Sequence, residues 1–324
     1  MTRVSIIVLT YNPQWEKLRS TIISVLRQNA EGMEIIFADD GSDYAYRDEI
    51  DALLNRRGIE YRFVGSGINQ GTVNNIANAM EHVQGKYVKL ISPGDFLYAE
   101  DTVARWVDYA ERMKADACFG DCVFYSNANG GPSACSVADS PANIGVFERP
   151  IKRSALFVDY LLANDTILGA SLLYRSDVFK AYIRRMAGRV KYAEDYSLRL
   201  MVFAGESVVH YPEKVVWYEY GSGISTGANQ KWQALLHKDF EMTDEIILEE
   251  IPPFDAVSRR YISYLKQRKR SPKTRRMRKL MLFPTLLVFR WRMKRGRKTP
   301  AEVELGGLKR IIEPESRETK NAGN

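Results

Sequence analysis

Two pairs of adjacent carboxylates are the residues of this sequence best suited to chemistry. Asp39 and Asp40 follow an apolar run and precede Gly41-Ser42, where a carboxylate can accept the N3–H of a uracil, thymine or guanine ring. Glu194 and Asp195 begin a predicted helix, and a carboxylate aimed from there into a cleft can take the proton of a hydroxyl. Each pair also has a purely structural explanation, because acidic residues cap and favour helix N-termini.

Two glycine-containing segments are suited to anionic groups. Residues 69–72 (NQGT) form a predicted turn into a helix N-terminus, whose N–H groups attract anions. Residues 221–227 (GSGISTG) follow a predicted strand and offer N–H groups and hydroxyls to phosphates. The second segment lacks the lysine of a P-loop, and a plain turn and a linker remain the alternative explanations of the two segments.

Apolar, β-branched runs alternate with stretches of helical spacing in the first hundred residues. They predict strands at 3–9, 33–38, 60–65 and 86–91, with helices at 14–28, 44–57 and 72–83. This alternation predicts a Rossmann-like, mostly parallel α/β sheet with helices on both faces. Polar clusters follow three of these strands, at 10–12, 39–42 and 92–95. Because ligands of such sheets bind beyond the carboxyl ends of the strands, we expect a site at that edge.

The second half of the chain has a less regular pattern. Strands are predicted at 118–125 and 207–217, and a long helix at 229–250. Residues 126–148 are rich in Gly, Ser, Pro and Asn, which predicts a loop long enough to act as a lid.

Charge is distributed unevenly along the chain. The net charge is +7, yet seventeen of the 47 Lys and Arg residues lie between Asp255 and Glu302, where no acid occurs. The remaining 30 basic and 40 acidic residues give the rest of the chain a net charge of −10. The pattern is typical of a mildly acidic domain with a strongly basic tail.

The composition argues against several classes of protein. Apolar residues make up 45% and charged residues 27%, as in ordinary globular proteins. Three sparse cysteines, Cys118, Cys122 and Cys135, do not suggest a disulfide framework and favour a reducing compartment. No apolar run reaches about 20 residues and no cleavable leader opens the sequence, so we expect neither a transmembrane helix nor secretion.

Taken together, these segments resemble glycosyltransferase family 2, which has a GT-A fold. Residues 4–12 (VSIIVLTYN) are similar to the opening strand of that family, and 35–43 (IIFADDGSD) to its Asp-Asp-Gly-Ser signature. Residues 69–98 resemble its donor-site stretch, 193–200 (AEDYSLRL) its Glu-Asp catalytic motif, and 218–226 (YEYGSGIST) its later glycine-rich loop. The likeness spans about residues 3–227.

The resemblance implies an inverting enzyme that transfers a sugar from a nucleotide-diphospho-sugar, with UDP-sugars favoured, to a hydroxyl of a saccharide. It implies a lipid-linked acceptor and a role in cell-surface polysaccharide assembly. Asp195 would be the general base, and Glu194 would help to position the acceptor or the base. The residues that would bind substrate are Thr10, Tyr11, Asn12, Asp39, Asp40, Asn69, Gly71, Asn74, Gly94 and Ser225.

One departure from the family concerns its metal motif. The usual Asp-x-Asp-Asp is here Ser92-Pro93-Gly94-Asp95, so Asp95 is the one carboxylate left in the motif to approach a metal. A hard divalent cation prefers several oxygen ligands but can keep waters and use substrate phosphates. We therefore still expect Mg²⁺ or Mn²⁺, with Asp95 as its protein ligand.

The resemblance and the charge pattern divide the chain into four parts. A catalytic domain is expected at 1–227, with a donor half at about 1–98 and an acceptor half at about 99–227, followed by a helical extension at 228–256. Residues 257–300 form a basic amphipathic segment, and 301–324 are expected to be disordered. We expect residues 257–298 to hold a cytoplasmic enzyme on the anionic inner face of the plasma membrane, with Phe283, Phe289 and Trp291 at the headgroups. The alternative is a solvated basic helix that packs on the acidic catalytic domain.

Three other functions compete with this interpretation. The basic tail could grip nucleic acid, although the net charge of −10 elsewhere speaks against nucleic acid as a partner. The broken acidic motif could mark a catalytically impaired scaffold of GT-A type, against which stands the retained Glu194-Asp195 pair. A nucleotidyltransferase or dinucleotide-binding oxidoreductase is disfavoured, because the first strand lacks a GxGxxG turn.

Overall fold

Alternation along β1 (Val4–Thr10) shows how the sequence builds a core on two sides of a sheet. Ile7 joins the apolar cluster on one face, while Ile6 and Val8 join the cluster on the other. All three side chains are fully buried, as expected for a strand covered on both faces.

The computed structural model describes residues 3–55, 58–127, 131–135, 137, 141–148, 151–221, 230–267, 272–295 and 305–312.

Nine strands form one sheet within these described residues. After β1 they are β2 (Met33–Asp39), β3 (Glu60–Gly65), β4 (Tyr87–Ile91), β5 (Phe96–Leu97), β6 (Ala117–Ser126), β7 (Ser133–Ala134), β8 (Leu172–Arg175) and β9 (Val208–Glu219). The order is β3-β2-β1-β4-β8-β6-β9-β5, and β7 pairs with β6. The first four strands in this order are parallel, β8 is antiparallel to both of its neighbours, and β6 and β9 again run parallel.

Helices cover both faces of this sheet, which confirms the predicted α/β architecture. Their bounds are α1 (Trp15–Leu26), α2 (Arg47–Leu54), α3 (Thr72–Ala79), α4 (Thr102–Met113), α5 (Arg153–Phe157), α6 (Ser176–Met186), α7 (Ser197–Ala204), α8 (Gln230–Glu250), α9 (Ala256–Leu265), α10 (Pro272–Leu282), α11 (Leu286–Lys294) and α12 (Gly306–Ile312). Helices α1, α2 and α4 pack on one face, and α3, α6, α7, α8, α9 and α11 on the other. Apolar residues three and four positions apart supply these contacts, as Leu18, Ile22 and Val25 do in α1.

The basic C-terminal segment packs on the catalytic domain through its apolar residues. Phe283, Leu286 and Phe289 are buried in the same cluster as α7, and the ammonium of Lys279 donates to the carbonyl of Leu162 over 2.7 Å. The prediction that Phe283 and Phe289 lie at a membrane surface is therefore wrong, because the domain core already buries both rings. In the described ranges, no helix combines the length and the apolarity needed to cross a bilayer.

Helix α12 corrects the expectation that 301–324 is disordered throughout. Leu308 and Ile311 are buried against Phe96, Val123 and Trp217 at the far edge of the sheet. Apolar side chains spaced three residues apart therefore anchor this helix, while residues 313–324 lie outside the described part of the chain.

Candidate active site

Asp39, the last residue of β2, is held at the carboxyl edge of the sheet. Thr10, its neighbour in the parallel register, donates its hydroxyl proton to Asp39 Oδ1 over 2.8 Å. Ser42 donates its N–H to Oδ2 over 2.9 Å and its hydroxyl proton to Oδ1 over 2.6 Å. Each carboxylate oxygen can accept more than one hydrogen bond, so Asp39 keeps acceptor capacity towards a nucleotide base.

Asp40 secures the turn that precedes α3. It is buried, its Oδ1 accepts the N–H of Gln70 over 2.8 Å, and its Oδ2 accepts the N–H of Gly71 over 2.9 Å. Gly71 has φ +90°, and a Cβ there would lie 2.5 Å from Cγ of Lys191. The carboxylate of Asp40 and the N–H of Gly71 thus hold this turn, and their direct contacts with substrate stay predictions.

Two asparagines of the predicted donor site tie loops together. Asn12 Oδ1 accepts the N–H of Asp43 over 2.8 Å, which joins the loop after β1 to the loop after β2. Asn74 Oδ1 accepts the N–H of Gly188 over 2.8 Å, and its amide also donates to a backbone carbonyl of its own turn. Asn74 thus joins α3 to the residues after α6, and its contact with substrate stays a prediction.

Other predicted contacts have side chains that reach solvent at the same edge. Tyr11 is 54% exposed and Asn69 is exposed, so both can meet a ligand. Ser225 lies outside the described residues, and its contact with substrate stays a prediction.

Gly94 and Asp95 follow β4 at this edge. Gly94 has φ +102° and donates its N–H to Thr21 Oγ1 over 3.1 Å. Asp95 is buried, and its Oδ1 accepts the N–H of Glu219 over 3.4 Å. Burial raises the pKa of Asp95 to about 7, although the ammonium of Lys89 acts in the opposite direction.

Glu219, the last residue of β9, is a second carboxylate beside Asp95 that the sequence reasoning missed. Its Oε2 lies 2.5 Å from the ammonium of Lys17, in the first turn of α1, and its side chain is only 9% exposed. The signal that could have found it is its place at the end of a strand, immediately before the glycine-rich segment.

The described residues contain no group of three or more His, Cys, Asp or Glu side chains arranged to hold a metal ion. Asp95 and Glu219 nevertheless offer two oxygen-donor side chains at one place, because the charge of Glu219 acts on Asp95 and Glu219 Oε2 lies beside Gly94. Magnesium and manganese favour oxygen ligands, and Mg²⁺ in particular keeps several waters and takes substrate phosphates. This donor set therefore fits a cation that binds together with a diphosphate.

The predicted catalytic pair lies in a 3₁₀ turn, Glu194–Tyr196, that leads directly into α7. Both acidic residues are half-buried, and Asp195 accepts backbone N–H groups of the turn. Desolvation raises the pKa of Asp195 to about 6, and desolvation together with the neighbouring Asp195 raises the pKa of Glu194 to about 8. A carboxylate with a raised pKa is a better base towards a hydroxyl near neutral pH.

Asp239, in the middle of α8, holds the loop that leads to this pair. Its buried carboxylate accepts the N–H groups of Lys191, Tyr192 and Ala193 over 3.0, 2.8 and 3.1 Å. The sequence reasoning missed Asp239 because an acid inside a long helix looks like an ordinary surface residue. Its role becomes visible only when the fold brings α8 against the loop.

Two hydrogen bonds fix the acidic pair relative to the donor edge. Val73, in the first turn of α3, donates its N–H to the carbonyl of Lys191 over 3.1 Å. Lys89 of β4 is fully buried and donates to the carbonyl of Ala170 over 2.5 Å. Gly169, which precedes Ala170, packs against the acidic pair, because a Cβ at this position would lie within 3.4 Å of the side chains of Glu194 and Asp195. Burial lowers the pKa of Lys89 to about 8.

A family model described as Glycosyl transferase family 2 matches residues 5–183, which is more than half of the chain. The chain therefore belongs to glycosyl transferase family 2. This glycosyltransferase carries its donor edge inside the matched range, whereas the Glu194-Asp195 pair lies shortly beyond it. No curated protein sequence matches the chain.

Solved structures of S. aureus TarS share the fold of this glycosyltransferase, which confirms the predicted GT-A architecture. A crystal structure of TarS has a TM-score of 0.55 at 13% identity and covers 84% of this chain, which spans 45% of that chain. A complex of TarS 1–349 with UDP-GlcNAc has a TM-score of 0.56 at 13% identity and covers 89% of this chain and 81% of the TarS chain. A complex of TarS 1–349 with UDP has a TM-score of 0.54 at 12% identity and covers 100% of this chain and 92% of the TarS chain.

Proposed function

We propose that this glycosyltransferase moves a sugar from a nucleotide-diphosphate donor, in the first place a UDP-sugar, to a hydroxyl of a saccharide with inversion. The observation that carries the proposal is the fixed arrangement of the donor edge and the acidic pair. The turn before α3 is bound on one side to Asp40, next to the base-reading Asp39. On its other side Val73 is bound to the loop that carries Glu194 and Asp195.

The reaction needs one base and no nucleophilic carboxylate. Asp195 takes the proton of the acceptor hydroxyl as the acceptor oxygen attacks the anomeric carbon. The bond from that carbon to the diphosphate oxygen breaks, and its electron pair leaves with the nucleotide diphosphate. One displacement inverts the anomeric centre, whereas retention in glycosidases uses a second carboxylate as nucleophile. Glu194, with its higher pKa, orients the acceptor or the base.

Uracil is the base that we favour, because two structures of similar fold hold UDP-GlcNAc or UDP. Asp39 would accept the N3–H of uracil, and the exposed ring of Tyr11 lies on the loop after the neighbouring strand. Asp95 would be a protein ligand of Mg²⁺ or Mn²⁺. When bound, such a cation neutralises charge on the diphosphate leaving group.

The test is nucleotide binding followed by turnover. We expect UDP to raise the melting temperature more than GDP or dTDP, and a UDP-sugar to be hydrolysed slowly without acceptor. Preference for another nucleotide would correct the base, whereas no binding of any nucleoside diphosphate would remove the proposed function.

A second observation concerns membranes and favours a peripheral enzyme with a lipid-linked acceptor in cell-surface polysaccharide assembly. Five large apolar side chains of α10 and α11 are 49–80% exposed; we call Met277, Met281, Leu287, Val288 and Trp291 the C-terminal patch. Exposed cations surround them: Arg276, Arg292, Lys294 and Arg295. We propose that this patch lies on the anionic cytoplasmic leaflet, since apolar insertion and about 1 kcal/mol per engaged cation would add.

Vesicle co-sedimentation tests the membrane proposal. Vesicles containing phosphatidylglycerol should bind the protein at low salt and release it at high salt, while phosphatidylcholine vesicles should not bind it. Met281→Asp with Leu287→Asp should abolish binding, whereas Phe254→Asp, at an equally exposed ring outside the patch, should not. Equal binding by both variants would contradict the proposal.

A further inference from the structure

The backbone explains why no acid stands at position 94 of the donor edge. Gly94 has φ +102°, a conformation that L side chains rarely adopt. A Cβ at this position would also lie 2.7 Å from Glu219 Oε2 and 3.6 Å from Cδ of Lys17. The backbone conformation therefore disfavours an aspartate here, and the carboxylate of Glu219 would have to shift to make room for its Cβ.

The space next to Gly94 is filled by the carboxylate of Glu219 itself. Strand β5, which follows Asp95 directly, pairs antiparallel with β9, so that Phe96 stands opposite Trp217. This pairing brings the end of β9 to Asp95, whose Oδ1 accepts the N–H of Glu219 over 3.4 Å. Two acidic residues that are 124 positions apart in the sequence thus meet at one point of the edge.

We propose that Glu219 takes the place of the acid missing from position 94 and, together with Asp95, holds the divalent cation that accompanies the donor diphosphate. The inference rests on the proposed function, because the diphosphate supplies the remaining oxygen ligands. Two carboxylates plus phosphate oxygens and water form the all-oxygen surroundings that Mg²⁺ prefers and that also suit Mn²⁺.

Lys17 forms an ion pair with Glu219 Oε2, while Asn127 Nδ2 donates to Glu219 Oε1 over 3.5 Å. A carboxylate that is 9% exposed needs a compensating charge, and the ammonium at 2.5 Å supplies it. The Lys17 side chain is 32% exposed and has a long flexible stem, so it can leave when a cation arrives. Its released ammonium then faces the same edge, where it can pair with the phosphates of the donor.

The experiment measures cation and nucleotide binding separately, on the full chain. Manganese binding is followed by electron paramagnetic resonance, and UDP binding by calorimetry in Mn²⁺ or in EDTA. The variants are Glu219→Gln and, as matched control, Glu213→Gln, an acid of the same strand that pairs with Arg105 at the surface. We expect Mn²⁺ to strengthen UDP binding in the wild type and in Glu213→Gln. Glu219→Gln should weaken Mn²⁺ binding in the presence of UDP by about tenfold or more, and keep UDP binding in EDTA.

A wild-type response to Mn²⁺ in folded Glu219→Gln would overturn the inference. So would a wild type that binds UDP equally well in Mn²⁺ and EDTA, and this result would leave the proposed function standing. If the wild type binds none of UDP, GDP and dTDP, the proposed function fails and the inference falls with it.

Lys17→Met should change Mn²⁺ affinity in the opposite direction, and this test does not depend on the folding of Glu219→Gln. Removing the ammonium leaves the Glu219 carboxylate without its competitor for the cation. We expect Mn²⁺ to bind this variant more tightly than the wild type in the absence of UDP. Unchanged or weaker Mn²⁺ binding would overturn the inference.

Discussion

The donor edge and the catalytic pair are built in opposite ways. At the donor edge, the contacts of Asp39 and Asp40 reach only from Thr10 to Gly71, across consecutive strands and turns. The loop before the catalytic pair is instead held by Asp239, about 46 residues further along the chain, on a helix outside the sheet. The part of the donor edge around Asp39 and Asp40 is completed by neighbouring segments, whereas the loop before the acidic pair is held by a helix that follows the last strand of the sheet.

This difference predicts that binding and chemistry can be separated by mutation. Substitutions at the donor edge should change nucleotide affinity, while those around the acidic pair should change turnover at an unchanged nucleotide affinity. Four experiments test the separation, from the largest expected effect to the smallest.

Asp195→Asn keeps the shape of the side chain and removes its basicity. Because a general base contributes about 10²- to 10⁴-fold, kcat should fall by that factor while the dissociation constant of UDP stays the same. Steady-state kinetics and calorimetry measure the two effects. Asp177→Asn, at an exposed acid on α6, is the control and should retain its turnover. Near wild-type turnover in Asp195→Asn would end this assignment.

The pH profile sharpens the same distinction. Asp195 must be ionised to act, and its pKa is raised to about 6, so kcat/KM should fall about tenfold per pH unit below that value. Because the pKa of Asp95 is also raised, to about 7, UDP binding is measured in EDTA, where the affinity should not follow this limb. A kcat/KM that stays constant down to pH 4.5 would contradict the role of Asp195.

Asp39→Ala removes the predicted acceptor of the base. A hydrogen bond to a charged group is worth about 1.5–3 kcal/mol, so UDP binding should weaken by roughly 10- to 150-fold. Thr10 and Ser42 also lose their partner, and the melting temperature must therefore be measured alongside. A folded variant with unchanged UDP affinity would show that Asp39 acts only as a turn cap.

Asp40→Asn and Asp239→Asn form a matched pair, because each carboxylate accepts backbone N–H groups of a loop. Each should lower the free energy of unfolding by about 1–3 kcal/mol. Asp40→Asn should mainly weaken UDP binding, and Asp239→Asn should mainly lower kcat, each by about tenfold. Identical kinetic profiles of the two variants would break the comparison between the regions.

The donor edge was largely predictable from the sequence, because its residues follow strands whose patterns are strong. Strand β3 was predicted with the bounds it has, and β1, β2 and β4 within one residue of theirs. Parallel strands necessarily bring their carboxyl ends to one edge, so the nearness of Thr10 and Asp39 followed from pattern alone.

The rest depended on contacts that no local pattern encodes. Asp239 lies inside a helix, and Glu219 meets Asp95 only because β5 pairs with β9. Similarly, Phe283 and Phe289 look like membrane anchors in a basic segment, but the core of the domain takes them up. Sequence spacing shows which residues share a face, and only the fold shows what that face meets.

The buried ammonium of Lys89 also bears on motion. Lys89 lies in the predicted donor half, yet it donates to the carbonyl of Ala170 in the predicted acceptor half. Pulling the halves apart would leave a charge in the interior without this acceptor, which costs several kcal/mol. This hydrogen bond therefore opposes a hinge motion that would separate β4 from the segment around Ala170.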